Sequence, residues 1–325
     1  MTSLARLAAV ALIGFIIPPC SVADARSVPQ TMLAAAIDKG GGPEVLSIHH
    51  LPVPKPEPNE VLIAVHTAGV GVWEAEFRQH PSDGAQFPLV LGSDGSGTVA
   101  AVGSGVHGFN VGDPVYGVGG AFYAHYAVAS SENISHIPKG VGLTEAGILA
   151  ISGLSALQGI DNVLELKPGE TLIIHGATGG VGTLAIQFAK LRGLKVLATA
   201  SSDEGLALVR RLGADAVVNG RTGDITAAAK QFAPKGVDAV LGLAGGDALE
   251  RCIDALRSDG RGRVAYLSIS VWKPGICSEK SCCVSSKFEV SVLDRDRPLV
   301  PYATVDTWRR RRCLTTPKVA GPLSG

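Results

Sequence analysis

One stretch limits this chain's fold more than any other: Ile173-Ile-His-Gly-Ala-Thr-Gly-Gly-Val-Gly182. An apolar run, Thr171–His175, leads into three glycines spaced GxxGxxG. A stretch of helical spacing follows, over Val181–Leu191, with Leu184, Ala185, Phe188 and Leu191 expected on one face. A glycine pattern alone is weak, but between a strand and a helix it reads as a dinucleotide cradle. Gly176 would allow the tight turn, Gly179 the approach of a pyrophosphate, and Gly182 the close seating of helix on strand. The free N–H groups and dipole of the helix start then favour phosphate. The bland alternative is an ordinary strand–helix turn.

The rhythm downstream supports the cradle. Lys195–Thr199, Ala216–Val218, Val237–Leu243 and Arg263–Ser268 read as strands, with a helix over Glu204–Leu212 that ends at Gly213. Strands alternating with helices imply an α/β fold with a doubly wound parallel Rossmann sheet. Residues 32–130 differ, alternating short apolar runs with Gly and Pro turns, as in Val61–Val65, Gly97–Val102 and Ala124–Val128. Pro52-Val-Pro-Lys-Pro-Glu-Pro58 marks a rigid connection. This half should be a β-rich, partly closed barrel.

About 20 residues past the loop, an NAD binder places an acid on the ribose hydroxyls. Here the second strand ends Ala198-Thr-Ala-Ser-Ser-Asp203. Ser201 and Ser202 at the tip accommodate a 2′-phosphate, and Arg210, Arg211 or Arg221 could supply positive charge, so NADPH is the expected cofactor. Asp203 argues the other way, and the arginines also fit a solvated surface.

The chain carries 29 basic and 29 acidic residues, so nothing points to nucleic acid or an anionic membrane. Arg6 precedes the apolar run Leu7–Ile17, and Ala23-Asp-Ala25 is a small-x-small cleavage site. That pattern is a secretory signal peptide over 1–25, implying an exported, periplasmic protein with no stable membrane anchor after cleavage. The competing reading starts translation at Met32 and leaves the protein cytoplasmic.

Several ordered motifs now join the glycine loop: Ala68-Gly-Val70, Leu91-Gly-Ser-Asp-Gly-Ser-Gly97, Val111-Gly-Asp-Pro-Val115 and Ser152-Gly-Leu-Ser-Ala156. Over residues 32–268 the chain resembles the medium-chain dehydrogenase/reductase superfamily, on its zinc-free quinone oxidoreductase-like branch. The resemblance implies a GroES-like catalytic domain over 26–150 and a Rossmann NADP-binding domain over 151–268, with the substrate cleft between them. It implies a small-molecule substrate and, by analogy only, a homodimer.

In zinc members of the superfamily a ligating cysteine and a histidine stand where this chain has Gly71 and Ser93, so the resemblance implies no catalytic metal. The zinc-free branch often carries Asn and Tyr where Gly71 and Glu76 stand here. The remaining candidates to line the cleft are Trp73, Glu74, Arg78 and Asp94. Trp73 could stack on a flat ring or simply pack, and Asp94 reads better as structural. Catalytic roles are therefore assigned to Trp73, Arg78 and Asp94 as candidates. For the cofactor the resemblance adds Ser152 and the run Leu243-Ala244-Gly245-Gly246 to the loop residues Gly176, Ala177, Thr178, Gly179, Gly180, Val181 and Gly182.

The expected function is NADPH-dependent reduction of quinones or α,β-unsaturated carbonyls. The alternatives are a nucleotide-binding protein without catalysis and a damaged product with an incomplete barrel. The latter two draw on residues 269–325, which lose periodicity, hold four of the six cysteines and lack the family's return to the barrel. A shifted reading frame beginning near Tyr266 is one account of this tail. Genuine divergence, with Cys277, Cys282 and Cys283 in disulfides, is the other.

Overall fold

The computed structural model describes residues 28–259, 262–268, 289–292 and 300–304. The expected signal segment, the tail cysteines and Arg309–Arg312 lie outside them. The chain begins with β1 (Thr31–Ile37), β2 (Leu46–Pro52) and β3 (Glu60–Ala68), followed by α1 (Val72–Gln79), β4 (Leu89–Val90) and β5 (Asp94–Val102). Then come β6 (Pro114–Val118), β7 (Tyr126–Ser130), β8 (Ile134–His136), α2 (Leu143–Ala146) and α3 (Ala150–Gln158). The nucleotide-binding half comprises β9 (Thr171–His175), α4 (Gly180–Leu191), β10 (Lys195–Ala200), α5 (Asp203–Arg211) and β11 (Ala216–Asn219). It continues with α6 (Ile225–Phe232), β12 (Ala239–Gly242), α7 (Asp247–Asp254), β13 (Arg263–Ser268), β14 (Glu289–Val292) and β15 (Val300–Thr304).

The first half is the expected β-rich unit. A five-stranded antiparallel sheet runs β7-β3-β5-β6-β8, and a three-stranded one β2-β1-β4. Alternation decides which residues face inward: Val61 and Ile63 of β3, Val99 of β5, and Ala127 and Ala129 of β7 share one core with Val115 and Phe122. The polyproline stretch begins on Pro52, the last residue of β2, and its remaining residues, 53–58, link β2 to β3 outside any strand.

In the second half, β11-β10-β9-β12-β13 are parallel. Crossover helices cover both faces, so successive strand residues enter different cores. Leu172 and Ile174 of β9 pack with Val196, Ala198 and Leu241 on one face. Ile173 packs with Leu197, Val240 and Val264 on the other. Each such buried Val, Leu or Ile side chain contributes about 1.5–3 kcal/mol from its removal from water. This two-sided burial explains why these strands read as apolar runs rather than alternations.

Three sequence expectations change. Helix α4 buries Gly182, Ala185, Ile186 and Ala189, while Leu191 is 81 % exposed at its end. Leu184 and Phe188 only flank the core, because the small residues let the helix sit close to the sheet. Helices α6 and α7 were not read from periodicity; each spans only two turns. Within 269–325, where periodicity gave no element, β14 and β15 add to β13 as antiparallel strands. Strands of four and five residues are too short to show a period.

Candidate functional site

Every residue of the glycine loop has a local reason to be where it is. Gly176 has φ +78°, a left-handed conformation that disfavours a side chain. A Cβ at Gly182 would lie 2.6 Å from the Cα of Ala177, so only glycine lets α4 close on the loop. Gly179 differs: a Cβ there would meet only the Gly176 carbonyl oxygen, at 3.7 Å. Its outer side is open, as an approaching phosphate requires. Ala177 is fully buried, and the Thr178 methyl lies against Gly205 of α5, which fastens the loop to the next helix. Gly180 and Val181 open α4, whose N-cap Gly179 brings no side chain to its first amides.

The other expected cofactor residues converge on this loop. A Cβ on Gly180 would stand 3.1 Å from the Ser152 hydroxyl, so α3 brings Ser152 beside the helix start. Ala244 lies against Gly176, its Cβ 3.2 Å from where a Gly176 Cβ would be. Gly245 follows it past the carboxyl end of β12, close to the Tyr266 hydroxyl. Ser201 and Ser202 are exposed at the tip of β10. Ser202 caps α5, its hydroxyl accepting from the Gly205 amide at 3.1 Å. Arg221 is exposed in the turn after β11, its amide donating to Asn219 Oδ1 at 2.9 Å. The Gly220 amide bonds the Ala200 carbonyl, which brings that turn beside the serine tip.

Two polar residues beneath the loop were not singled out in the sequence. His175 ends β9 and is only 6 % exposed. Its Nδ1 lies 2.9 Å from the Thr199 hydroxyl of β10, which also accepts from the Gly176 amide at 3.1 Å. Burial holds the ring's pKa below the ordinary histidine value. The available signal was a histidine closing an otherwise apolar strand.

On the barrel side, Trp73, Arg78 and Asp94 are each committed to structure. Trp73 folds over Gly71, so that a Cβ at 71 would fall 2.3 Å from its indole carbons. Its Nε1 donates to Glu74 Oε1 at 3.1 Å. Glu74, 4 % exposed, also accepts from the Ser93 amide and hydroxyl at 2.8 and 2.6 Å and from the Gly92 amide at 3.2 Å. Glu74 was among the side chains that could line the cleft; its carboxylate staples α1 to the turn before β5. Arg78 Nε donates to the Gly41 carbonyl at 3.1 Å, pinning the β1–β2 connection.

Asp94 is 2 % exposed. One oxygen accepts from the Ile151 amide at 3.1 Å, next to Ser152, while Oδ1 has no hydrogen-bond partner. Burial, with the Glu74 charge nearby, raises its pKa to about 6. Among the described residues no three His, Cys, Asp or Glu side chains gather as a metal site, and no helix is long and apolar enough to cross a membrane.

Comparison with known proteins agrees with this architecture. Residues 57–149 match the family described as alcohol dehydrogenase GroES-like domain, and residues 180–287 the one described as zinc-binding dehydrogenase. A mouse quinone oxidoreductase is 33 % identical over 239 residues, 71 % of this chain and 72 % of that protein. The structure of the quinone oxidoreductase from Coxiella burnetii superposes with a TM-score of 0.65 at 34 % identity, over 72 % of this chain and 74 % of that one. A mycobacterial protein solved in complex with NADPH gives 0.67 at 30 % identity, over 73 % and 74 %. A GroES-like unit followed by a Rossmann unit, with these relatives, identifies an oxidoreductase: the chain belongs to the medium-chain dehydrogenase/reductase superfamily, on its quinone oxidoreductase-like branch.

Proposed function

We propose that this protein is a zinc-independent, NADPH-dependent oxidoreductase that reduces quinones or α,β-unsaturated carbonyls. The observation that carries the reading is the loop after β9: closed by Ala177 beneath Gly182, open outside Gly179, and met by Ser152 from α3. Gly176–Gly182 would hold the pyrophosphate, with Ser201, Ser202 and Arg221 toward the 2′-phosphate. Ser152, Ala244 and Gly245 would lie toward the nicotinamide.

The cofactor supplies the hydride; the protein binds it, orients it and excludes water. Quinones and enones suit a site without a Lewis acid, since their accepting carbons are already electron-poor. The zinc-free reading is supported at Gly71, where the Trp73 indole fills the space a ligating side chain would need. The complex of a similar mycobacterial protein with NADPH supports the cofactor assignment. NADPH oxidation by purified protein against a panel of quinones, enones and aldehydes tests the proposal, with a zinc chelator expected to leave the rate unchanged. Absence of turnover across the panel would sink it.

A second reading is a nucleotide-binding protein without catalysis. It is favoured by one observation: the side chains of Trp73, Arg78 and Asp94 all make structural hydrogen bonds. NADPH binding without turnover would select it.

A further inference from the structure

We propose that Asp94 is a positioning residue: its carboxylate anchors the first turn of α3 to the barrel and so holds Ser152 against the start of α4. The role rests on the dinucleotide reading of the loop and adds to it a buried residue from the other half of the chain.

The helix itself creates the need for an anchor. The Gly153 amide donates to the Leu149 carbonyl at 2.8 Å, and the α3 amides before it have no partner within the helix. Leu149 at the N-cap offers no side-chain acceptor. Ile151 is buried, and a buried amide without a partner is costly. Asp94 of β5 supplies the acceptor: the Ile151 amide donates to its Oδ2 at 3.1 Å. A carboxylate at a helix start is also favoured by the helix dipole.

The barrel is shaped to seat this segment. Asp94 and Ser96 are both buried and lie two positions apart on β5, on the same face of the strand. The Ser96 hydroxyl donates to the Leu143 carbonyl at the start of α2, while Asp94 takes the Ile151 amide. One face of β5 thus holds both ends of residues 143–151. Between them, Gly147 presses on β3: a Cβ there would fall 2.7 Å from the Thr67 Cβ. At Gly69 a Cβ would fall 2.1 Å from Asp94 Oδ1, and the Gly69 amide donates to the Asp94 carbonyl at 2.9 Å. Glycine at 69 leaves room for the carboxylate.

The far end of the anchor is the loop. Ser152 follows Ile151, and a Cβ on Gly180 would stand 3.1 Å from the Ser152 hydroxyl and 3.8 Å from its Cβ. One hydrogen bond and one peptide unit therefore separate a barrel carboxylate from the side chain that meets the start of α4. An anchor for stability alone would act on Tm and leave the contribution of Ser152 to binding intact. A positioning anchor acts through Ser152, and its effect vanishes once Ser152 is gone.

The test reads NADPH dissociation constants of the full chain by cofactor fluorescence, at a temperature where circular dichroism shows each variant folded. Asp94→Ala and Ser152→Ala should each bind roughly tenfold more weakly, about 1.4 kcal/mol. Asp94→Leu, which has the shape of asparagine without the acceptor, should match Asp94→Ala and replaces it if the smaller side chain does not fold. Asp94→Asn keeps an oxygen for the Ile151 amide and should bind within about twofold of wild type. Gly69→Ala, which drives a methyl group onto Oδ1, should weaken binding as Asp94→Ala does. Combining Asp94→Ala with Ser152→Ala should cost no more than either alone, whereas combining it with Arg221→Ala should multiply the two losses. Amide hydrogen exchange at Ile151, measured without dinucleotide, should be faster in the Ala and Leu variants than in wild type and Asp94→Asn. Losses that multiply with Ser152→Ala overturn the proposal, as do an Asn variant as weak as Ala or unchanged exchange at Ile151. If exchange responds as expected but wild type binds no dinucleotide, the anchor stands; the cofactor reading fails and takes the positioning role with it.

Discussion

Replacing Gly182 and Gly179 separately with alanine divides the glycine loop into a packing role and a binding role. At Gly182 the new Cβ would lie 2.6 to 2.7 Å from the Cα, C and O atoms of Ala177. Carbon contacts relax near about 3.5–4.0 Å, so α4 must retreat by about 1 Å. The opposing atoms are all backbone and cannot rotate away, which places the overpacking near the upper end of about 1–3 kcal/mol. Alanine's helix propensity returns about 1 kcal/mol. The net loss is about 2 kcal/mol, or roughly 4–8 °C in Tm for a cooperative unit of about 150–250 residues. At Gly179 the backbone (φ −75°, ψ 171°) suits alanine, and the nearest atom is 3.7 Å away. Stability should hold within about 0.5 kcal/mol. That methyl group nevertheless occupies the open side, and NADPH affinity should fall at least about tenfold. Thermal melts and fluorescence titration of both variants suffice. Equal losses of Tm, or wild-type NADPH affinity in Gly179→Ala, would refute the division.

Two further predictions concern charge. Asp94 has a folded-state pKa raised from 3.8 to about 6, so it stabilises the fold when protonated, and that contribution is lost as pH rises through 6. Asp94→Asn mimics the protonated form: its Tm should exceed wild type at about pH 8, by at most about 3 kcal/mol in stability, and the two should converge near about pH 4. A difference that does not change with pH would contradict this. Arg221→Ala should weaken NADPH binding by roughly tenfold and leave NADH unchanged; equal loss for both cofactors would remove Arg221 from the 2′-phosphate site.

The Rossmann half was legible because its signals are local. A strand buried on both faces is an unbroken apolar run, and a phosphate loop needs glycines at fixed offsets. Ser202 was legible for its place at the strand tip, though its capping bond to Gly205 adds a structural duty. His175 was not legible, since its partner Thr199 lies 24 positions on and meets it only when β10 flanks β9. The barrel side was the hardest to read. A sequence shows that Glu74 and Asp94 are acidic but not that both are buried, nor that four donors converge on Glu74. The exposed end of α4 was misread for a different reason: the buried stripe is Gly182, Ala185, Ile186 and Ala189, and Leu191 lies nearly opposite it on the helix, facing solvent.

The Gly71–Trp73 contact makes the metal question testable by substitution. If zinc chemistry were missing only two ligands, Gly71→Cys with Ser93→His would restore a metal centre. The packing argues otherwise. A Cβ at 71 overlaps the indole at 2.3 Å, so Trp73 must swing out and release its bond to Glu74. Histidine at 93 removes the hydroxyl that donates to the same carboxylate at 2.6 Å. Glu74 would then keep two of its four donors, the amides of Gly92 and Ser93, while still buried. Losing two hydrogen bonds to a buried carboxylate costs about 3–6 kcal/mol. That exceeds what a two-ligand gain can repay before any third ligand exists. The double variant should therefore melt well below wild type and carry no stoichiometric zinc by elemental analysis after zinc loading and desalting. A variant that holds one zinc per chain at wild-type stability would show that the indole is a removable lid over a competent metal site, and the zinc-free reading would fall with it.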